Sequence, residues 1–285
     1  MKVLILGGRG MAGHMIKAYL QSLGTDEVWS TQREPEQGPG EILLDVTDEQ
    51  RTWEVLQSLR PELVVNAAGL LNRDAERRLE ESIRVNGLLP HRLAEYGDRL
   101  NFRLIHISTD CVFSGSRGGY RESDPADGVT VYAKTKSLGE IAGHPRHLTI
   151  RTSIIGPELK PEGIGLFHWF MNQSGDIPGY RHVYWNGVTT LELARAVRWA
   201  AERPVAGLMH LAVPQKISKH DLLLLMQRTF RRDGVKVEPY DAYRSDKSLV
   251  NTRTDAAYLP SDYAVMLSEL RDWMKDRPIY RRYQK

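Results

Sequence analysis

The chain opens on a short apolar run, "KVLIL", that stops at "GGRGMAG". The spacing then turns helical through Met15, Ile16, Tyr19 and Leu20. Apolar runs recur at "EVWST", "EILLDV", "ELVVNAAG", "FRLIHIST" and "HLTIRTSII". Between them lie stretches of helical period. These are "DEQRTWEVLQSL", with acidic residues in its first turn, a long segment over about residues 75–96, and "VYAKTKSLGEIAGH". The runs are continuous rather than alternating. A strand reads that way when both its faces are covered, so the pattern predicts a parallel sheet wrapped by helices.

After about residue 156 the regularity breaks. "GPELKPEGIG" reads as a loop, and "LFHWFMNQSG" as a helix ended by glycine. "TTLELARAVRWAAERP" is an amphipathic helix with a threonine start and a proline stop. "GLMHLAV" reads as a strand, and "SKHDLLLLMQRTF" as a helix capped by Ser218. These pieces are too scattered for a fold of their own. The expected organisation is a dinucleotide-binding unit over 1–155 and a smaller, partly interleaved substrate-binding region over 156–285 that walls one side of a cleft.

Composition narrows the class. Of 285 residues, 41% are hydrophobic and 26% charged, as in ordinary globular proteins. A net charge of +3 from 39 basic and 36 acidic side chains leaves no basic face for nucleic acid. The most basic segment, "RPIYRRYQK", reads as a solvated tail. The lone Cys111 excludes an internal disulfide framework. The first apolar run is too short for a secretory leader, and no stretch has the length of a membrane span. A cytoplasmic protein is expected. Nine scattered histidines show no metal-ligand spacing, so no catalytic metal is expected. His168, Trp169 and Phe170 read as core or cleft wall.

Gly7, Gly10 and Gly13 follow the first strand and open a helix. Small residues let the backbone approach a pyrophosphate, and a helix N-terminus offers free N–H groups. The competing reading is a plain tight turn, but strand before and helix after favour a cofactor loop. Together with the strand pattern this predicts a Rossmann-type, doubly wound α/β fold. An acid at the end of the second strand would select NAD. Here Ser30, Thr31 and Arg33 occupy that zone, and Arg9 sits in the glycine loop. Two guanidiniums suit a ribose 2′-phosphate, so NADPH is expected, with NADH as the alternative and solvated arginines as the bland reading. Asp45, with Val46 beside it, ends the third strand near an adenine site. Ala67, Ala68 and Gly69 end the fourth with room for the cofactor's middle. Asn86 either braces the active-site backbone or is exposed.

In "VYAKTKSLGE" a spacing of four puts Tyr132 and Lys136 on one helical face. A phenol titrates near about 10, and a neighbouring ammonium lowers that value. Such a tyrosine can donate a proton to a carbonyl oxygen. A hydroxyl from "HISTD" can hydrogen-bond the same oxygen.

The motifs "GGRGMAG", "NAAG", "ISTD" and "YAKTK" together resemble the extended branch of the short-chain dehydrogenase/reductase superfamily. Within it, "STDCVFSG", "ESD", "VYAKTK", "GE", "GLMHLA" and "NTRTDAAYL" are most similar to the dTDP-4-dehydrorhamnose reductase family. The resemblance implies an NADPH-dependent reduction of the 4-keto group of a nucleotide sugar. It makes Tyr132 the general acid. Lys136 would tune that tyrosine and hold the nicotinamide ribose. Thr109, with Ser108 as the second option, would orient the keto oxygen. Gly7, Arg9, Gly10, Met11, Gly13, Arg33, Asp45, Val46, Ala67, Ala68 and Gly69 would line the cofactor site. Trp185, Asn186 and Arg253 are the candidates for substrate contact. Cys111 stands where the family has an aromatic residue, and Met11–Ala12 where other pairs are common. A 4,6-dehydratase needs a second carboxylate beside Asp110, and Cys111 is there instead. A 4-epimerase and a non-catalytic NADP-binding regulatory subunit remain as alternatives. The partner implied is a nucleotide-sugar substrate, and the family allows a homodimer.

Overall fold

The computed structural model describes residues 1–34 and 38–284. The opening runs form β1 (Lys2–Leu6), α1 (Met11–Leu23), β2 (Glu27–Gln32), β3 (Glu41–Leu43), α2 (Glu49–Leu59) and β4 (Leu63–Asn66). After α3 (Asn72–Arg77) and α4 (Leu79–Ser82), a π-helical segment over Ile83–Leu88 leads into α5 (Leu89–Leu100). β5 (Arg103–Thr109), α6 (Val131–Leu138), β6 (Leu148–Thr152), β7 (Ile154–Ile155) and α7 (Leu166–Met171) follow. The last third holds β8 (Gly175–Trp185), β9 (Val188–Thr189), α8 (Thr190–Ala201), β10 (Gly207–His210) and β11 (Ile217–Ser218). It closes with α9 (Lys219–Thr229), β12 (Val235–Asp246) and α10 (Tyr263–Lys275).

Seven strands form one parallel sheet in the order β10-β6-β5-β4-β1-β2-β3. The continuous apolar runs have the predicted cause. Along β1, Val3 and Ile5 point to one face, where Met15, Ile16 and Leu20 of α1 and Val197 of α8 meet them. Leu4 and Leu6 point to the other, against Leu56 of α2 and Leu93 of α5. The strand order reverses between β1 and β4, which opens a crevice at the carboxyl ends of these strands. A second sheet has three strands in the order β11-β8-β12.

Helix starts follow the expected chemistry. Asp48, Thr130, Thr189, Ser218 and Asp262 each accept a hydrogen bond from a backbone N–H of their helix's first turn.

Four features differ from the sequence reading. The segment expected as one helix over 75–96 is broken at Arg78 and again by the π segment. The helix expected to run to His144 stops at Leu138, because Gly139 packs directly on the Asn86 carbonyl. β8, β12 and α10 were not anticipated as elements. β8 carries internal Gly and Pro, and β12 is largely exposed, so neither shows a clean period. The tail is not solvated: Tyr280 is 1% exposed and Tyr283 donates to the Glu158 carbonyl at 3.0 Å. Its last residue, Lys285, lies outside the described residues.

Candidate active site

The turn after β1 is built by close backbone contact. Gly7 has φ +78°, and a Cβ there would meet Ala68 backbone at 3.0 Å. A Cβ on Gly13 would meet the Gly7 carbonyl oxygen at 2.2 Å, so glycine lets α1 seat against the turn. Gly10 is the N-cap of α1 and supplies no side-chain cap, which leaves the first N–H groups facing outward. A pocket of about 380 Å³ lies over this turn. Gly7, Arg9, Gly10, Arg33, Asp45, Val46, Ala67, Ala68 and Gly69 all line it, with Lys160 arriving from the loop after β7. The glycine cradle and uncapped helix fit a dinucleotide's pyrophosphate. Arg9 pairs with Glu34 and lies 3.6 Å from Glu41. Arg33 lies 3.5 Å from Glu81.

A second pocket, about 270 Å³, continues from the first through Gly10, Ala67, Ala68 and Gly69. Met11, Ser108, Thr109, Asp110, Cys111, Tyr132 and Lys136 line it. β5 delivers the hydroxyls at its carboxyl end, and α6 presents Tyr132 and Lys136 one turn apart.

The polar groups here are held closely. Cys111 N–H donates to Thr109 Oγ1 at 3.1 Å, and Thr109 donates weakly to Asp110 at 3.3 Å. Burial pushes the Asp110 carboxyl up, against the pull of Lys247 and Lys219. Burial, with Asp110 beside it, pushes the Cys111 thiol up to about 11. Burial raises the Tyr132 phenol above its ordinary value; Cys111 and Asp110 add to this, and the Thr109 hydroxyl opposes it.

Lys136 departs from the expected arrangement. It is 4% exposed, and burial lowers its amine to about 8. Its Nζ donates to the Ile107 carbonyl at 2.7 Å and lies 3.2 Å from His106 Nε2, and no hydrogen bond joins it to Tyr132 among the described residues. Lys136 is therefore not among the groups that set the phenol in this state.

Four substrate candidates need correction. Ser108 lines the pocket, but its proton goes to Glu140 at 2.7 Å, so it is not free to orient a keto oxygen. Trp185 is 3% exposed and packs in the core. Asn186 is buried, with Nδ2 donating to the Val213 and Leu249 carbonyls and Oδ1 accepting from Leu249 N–H. Arg253 is committed to the Ala206 and Leu208 carbonyls and to Asp255, at the sheet's β10 edge. None of these last three lines either pocket.

Asn86 is a brace. It is buried, donates to the Leu70 carbonyl and accepts from Leu70 N–H, each at 2.9 Å. That fixes the chain just after "NAAG". The sequence reading missed His106, Glu140 and Lys160. An apolar run interrupted by one histidine was the available signal for His106. A motif glutamate was the signal for Glu140. A cluster of Asp98, His144 and His147 is no metal site, since both His147 nitrogens already meet backbone groups, Leu104 N–H and the Ala94 carbonyl.

A Rossmann sheet whose glycine turn runs into a Thr-Tyr-Lys pocket defines an extended short-chain dehydrogenase/reductase. The family model described as the RmlD substrate binding domain matches residues 1–273, and the chain belongs to that family. It is 31% identical over 157 residues to a dTDP-4-dehydrorhamnose reductase of Aggregatibacter actinomycetemcomitans, covering 53% of this chain and 51% of that one. It is 27% identical over 246 residues to the enzyme of that name from Salmonella typhimurium, covering 82% and 80%. Against several curated relatives the match spans about half their length, 47% and 51% in two cases. The fold is shared with a dTDP-4-dehydrorhamnose reductase of Bacillus anthracis solved in complex with NADP, at TM-score 0.82 and 18% identity over 95% of this chain and 99% of that one.

Proposed function

We propose that the chain is an NADPH-dependent reductase of the 4-keto group of a nucleotide-linked deoxysugar, acting in nucleotide-sugar or cell-surface polysaccharide biosynthesis. One observation carries this reading. Thr109, Tyr132 and Lys136 line the inner part of a groove that starts at the glycine turn. The relatives named as dTDP-4-dehydrorhamnose reductases support the substrate class.

When bound, the reduced nicotinamide supplies hydride to the keto carbon. The chain's own residues handle the oxygen. Tyr132, held as a neutral phenol, donates its proton there. The Thr109 proton, only loosely held by Asp110, turns to the same oxygen while the Cys111 N–H keeps the hydroxyl in place. Cys111 supplies no thiolate base, because burial with Asp110 beside it holds the thiol up near 11. Arg9, Arg33 and Lys160 line the outer pocket with Glu34, Asp45 and Glu81 as their countercharges, and a 2′-phosphate that took Arg9 or Arg33 from its carboxylate would favour NADPH over NADH. A cytoplasmic location fits the single cysteine and the absence of any membrane-crossing helix among the described residues. A homodimer fits the exposed Leu79, Ile83, Leu88 and Leu138 on α4, the π segment and α6.

The test is a panel of 4-keto nucleotide sugars with NADPH or NADH, followed at the absorbance of reduced nicotinamide. Oxidation with at least one sugar is expected, with NADPH preferred. No oxidation with any of them sinks the reductase and favours a binding subunit. Tyr132→Phe is expected to lower kcat by about 10²–10⁴. Survival of turnover within a few-fold removes Tyr132 as the proton donor. Arg33→Ala is expected to raise KM for NADPH about tenfold and leave that for NADH unchanged, as loss of one charge-assisted contact would do.

A further inference from the structure

His106 is fully buried on β5, with its ring between Asn66 at the end of β4 and Lys136 on α6. His106 Nδ1 lies 3.1 Å from Asn66 Nδ2, and Nε2 lies 3.2 Å from Lys136 Nζ. At the far end Ala68 N–H donates to Asn66 Oδ1 at 3.2 Å. At the near end Lys136 donates to the Ile107 carbonyl. This line of groups runs from the floor of the outer pocket to the amine of the inner one.

Donors and acceptors along it can be counted. Ala68 N–H fixes the oxygen side of the Asn66 amide, so Nδ2 faces the ring and can only donate. His106 Nδ1 must then be bare. A neutral imidazole has one N–H, so it sits on Nε2 and points at Lys136. That N–H needs a lone pair, which a neutral amine has and an ammonium lacks. With Lys136 neutral every group is matched. With Lys136 charged, Nε2 must become the acceptor. The ring proton then moves to Nδ1 and the Asn66 amide must turn over, which sets Nδ2 against Ala68 N–H. An unmatched donor in a dry site is costly.

We propose that His106 is a positioning residue whose ring couples the charge of Lys136 to the orientation of the Asn66 amide and hence to the Ala67–Ala68 backbone. Under the reductase reading, on which its use in catalysis rests, a ligand that engages that backbone releases the amide to turn. The loaded site then holds the Lys136 ammonium to a higher pH than the ligand-free site does. Two observations agree. Burial lowers the Lys136 amine to about 8, and burial with Lys136 alongside holds the His106 ring far below the usual imidazole range, so the ring changes tautomer rather than charge. Glu140 is the group that favours the ammonium, and His91 is the other imidazole acting on His106.

The experiment uses the ligand-free full chain labelled with ¹⁵N-imidazole histidine and ¹³Cε-lysine, followed by NMR over roughly pH 6–10. The Lys136 signal is the one lost in Lys136→Met. The expected result is an Nε2–H tautomer at high pH whose ring nitrogens shift, without charging, at the Lys136 midpoint. Ring nitrogens that stay constant while Lys136 titrates overturn the proposal. In His106→Gln an amide can accept from the ammonium without a tautomer change, so the Lys136 midpoint is expected to rise by about one unit, a tenfold gain in proton affinity. An unmoved midpoint in that variant also overturns it. Neither readout uses a substrate, so a chain inactive on every sugar tested leaves this result standing on its own.

Discussion

At the scale of single residues, the site is a set of polar groups held in states they would not take in water. Lys136 shows the cost. Its folded value near 8 lies below the ordinary lysine value of about 10.4. Below pH 8 the amine is charged in both states and the folded chain carries the whole penalty. Stability rises as pH climbs from about 8 to 10.4, where only the unfolded chain holds the proton, and the penalty is gone above that window. Lys136→Met is therefore expected to stabilise the fold by about 1–3 kcal/mol at pH 7, with the gain fading by about pH 10.5. Urea unfolding at the two pH values checks this; no gain at pH 7 contradicts it. Residue types tied to a fixed spacing were legible in the sequence. Gly7, Gly10, Thr109, Tyr132 and Lys136 line the groove, whereas Gly13 lines neither pocket and serves to seat α1 against the turn. Trp185, Asn186 and Arg253 were not placed well, because a side chain's partners there come from segments distant in sequence, such as Leu249 for Asn186.

At the scale of elements, one close backbone contact seats the C-terminal end of α6. A methyl group on Gly139 would lie 2.0 Å from the Asn86 carbonyl oxygen in the π segment. Neither partner can yield without moving an element, since Asn86 holds Leu70 and Ser82 as well. Gly139→Ala is expected to cost about 1–3 kcal/mol in denaturant unfolding. It is also expected to lower kcat, because α6 carries Tyr132 and Lys136; wild-type stability and turnover would contradict the contact. The parallel strands were legible because burial on both faces writes them as unbroken apolar runs. β12 was not, since most of it faces solvent and its pairing with β8 slips between Tyr240 and Arg244. The early end of α6 was hidden too, because it depends on what Gly139 meets rather than on any local signal.

At the scale of the molecule, a buried ion pair joins the catalytic strand to the C-terminal segments. Arg151 Nη2 and Glu140 Oε2 lie 2.6 Å apart, each side chain 5% exposed. Glu140 also takes the Ser108 proton, and Arg151 reaches His210, whose Nδ1 meets the Val250 carbonyl at 3.0 Å. Glu140→Gln leaves Arg151 buried without its countercharge and is expected to cost about 3–5 kcal/mol. Tryptophan fluorescence and circular dichroism should fall together during its unfolding; separate transitions would show that the two halves are not tied. The seventh strand makes the same point by topology. β10 comes from the later half of the chain yet completes the edge of the sheet beside β6. A chimaera joined at residue 155, with a relative's later half grafted on to change sugar choice, thus imports a foreign edge strand along with the new cleft wall. Matching that strand's register to Leu148–Arg151 becomes the first requirement for a soluble hybrid, ahead of any residue that touches the sugar.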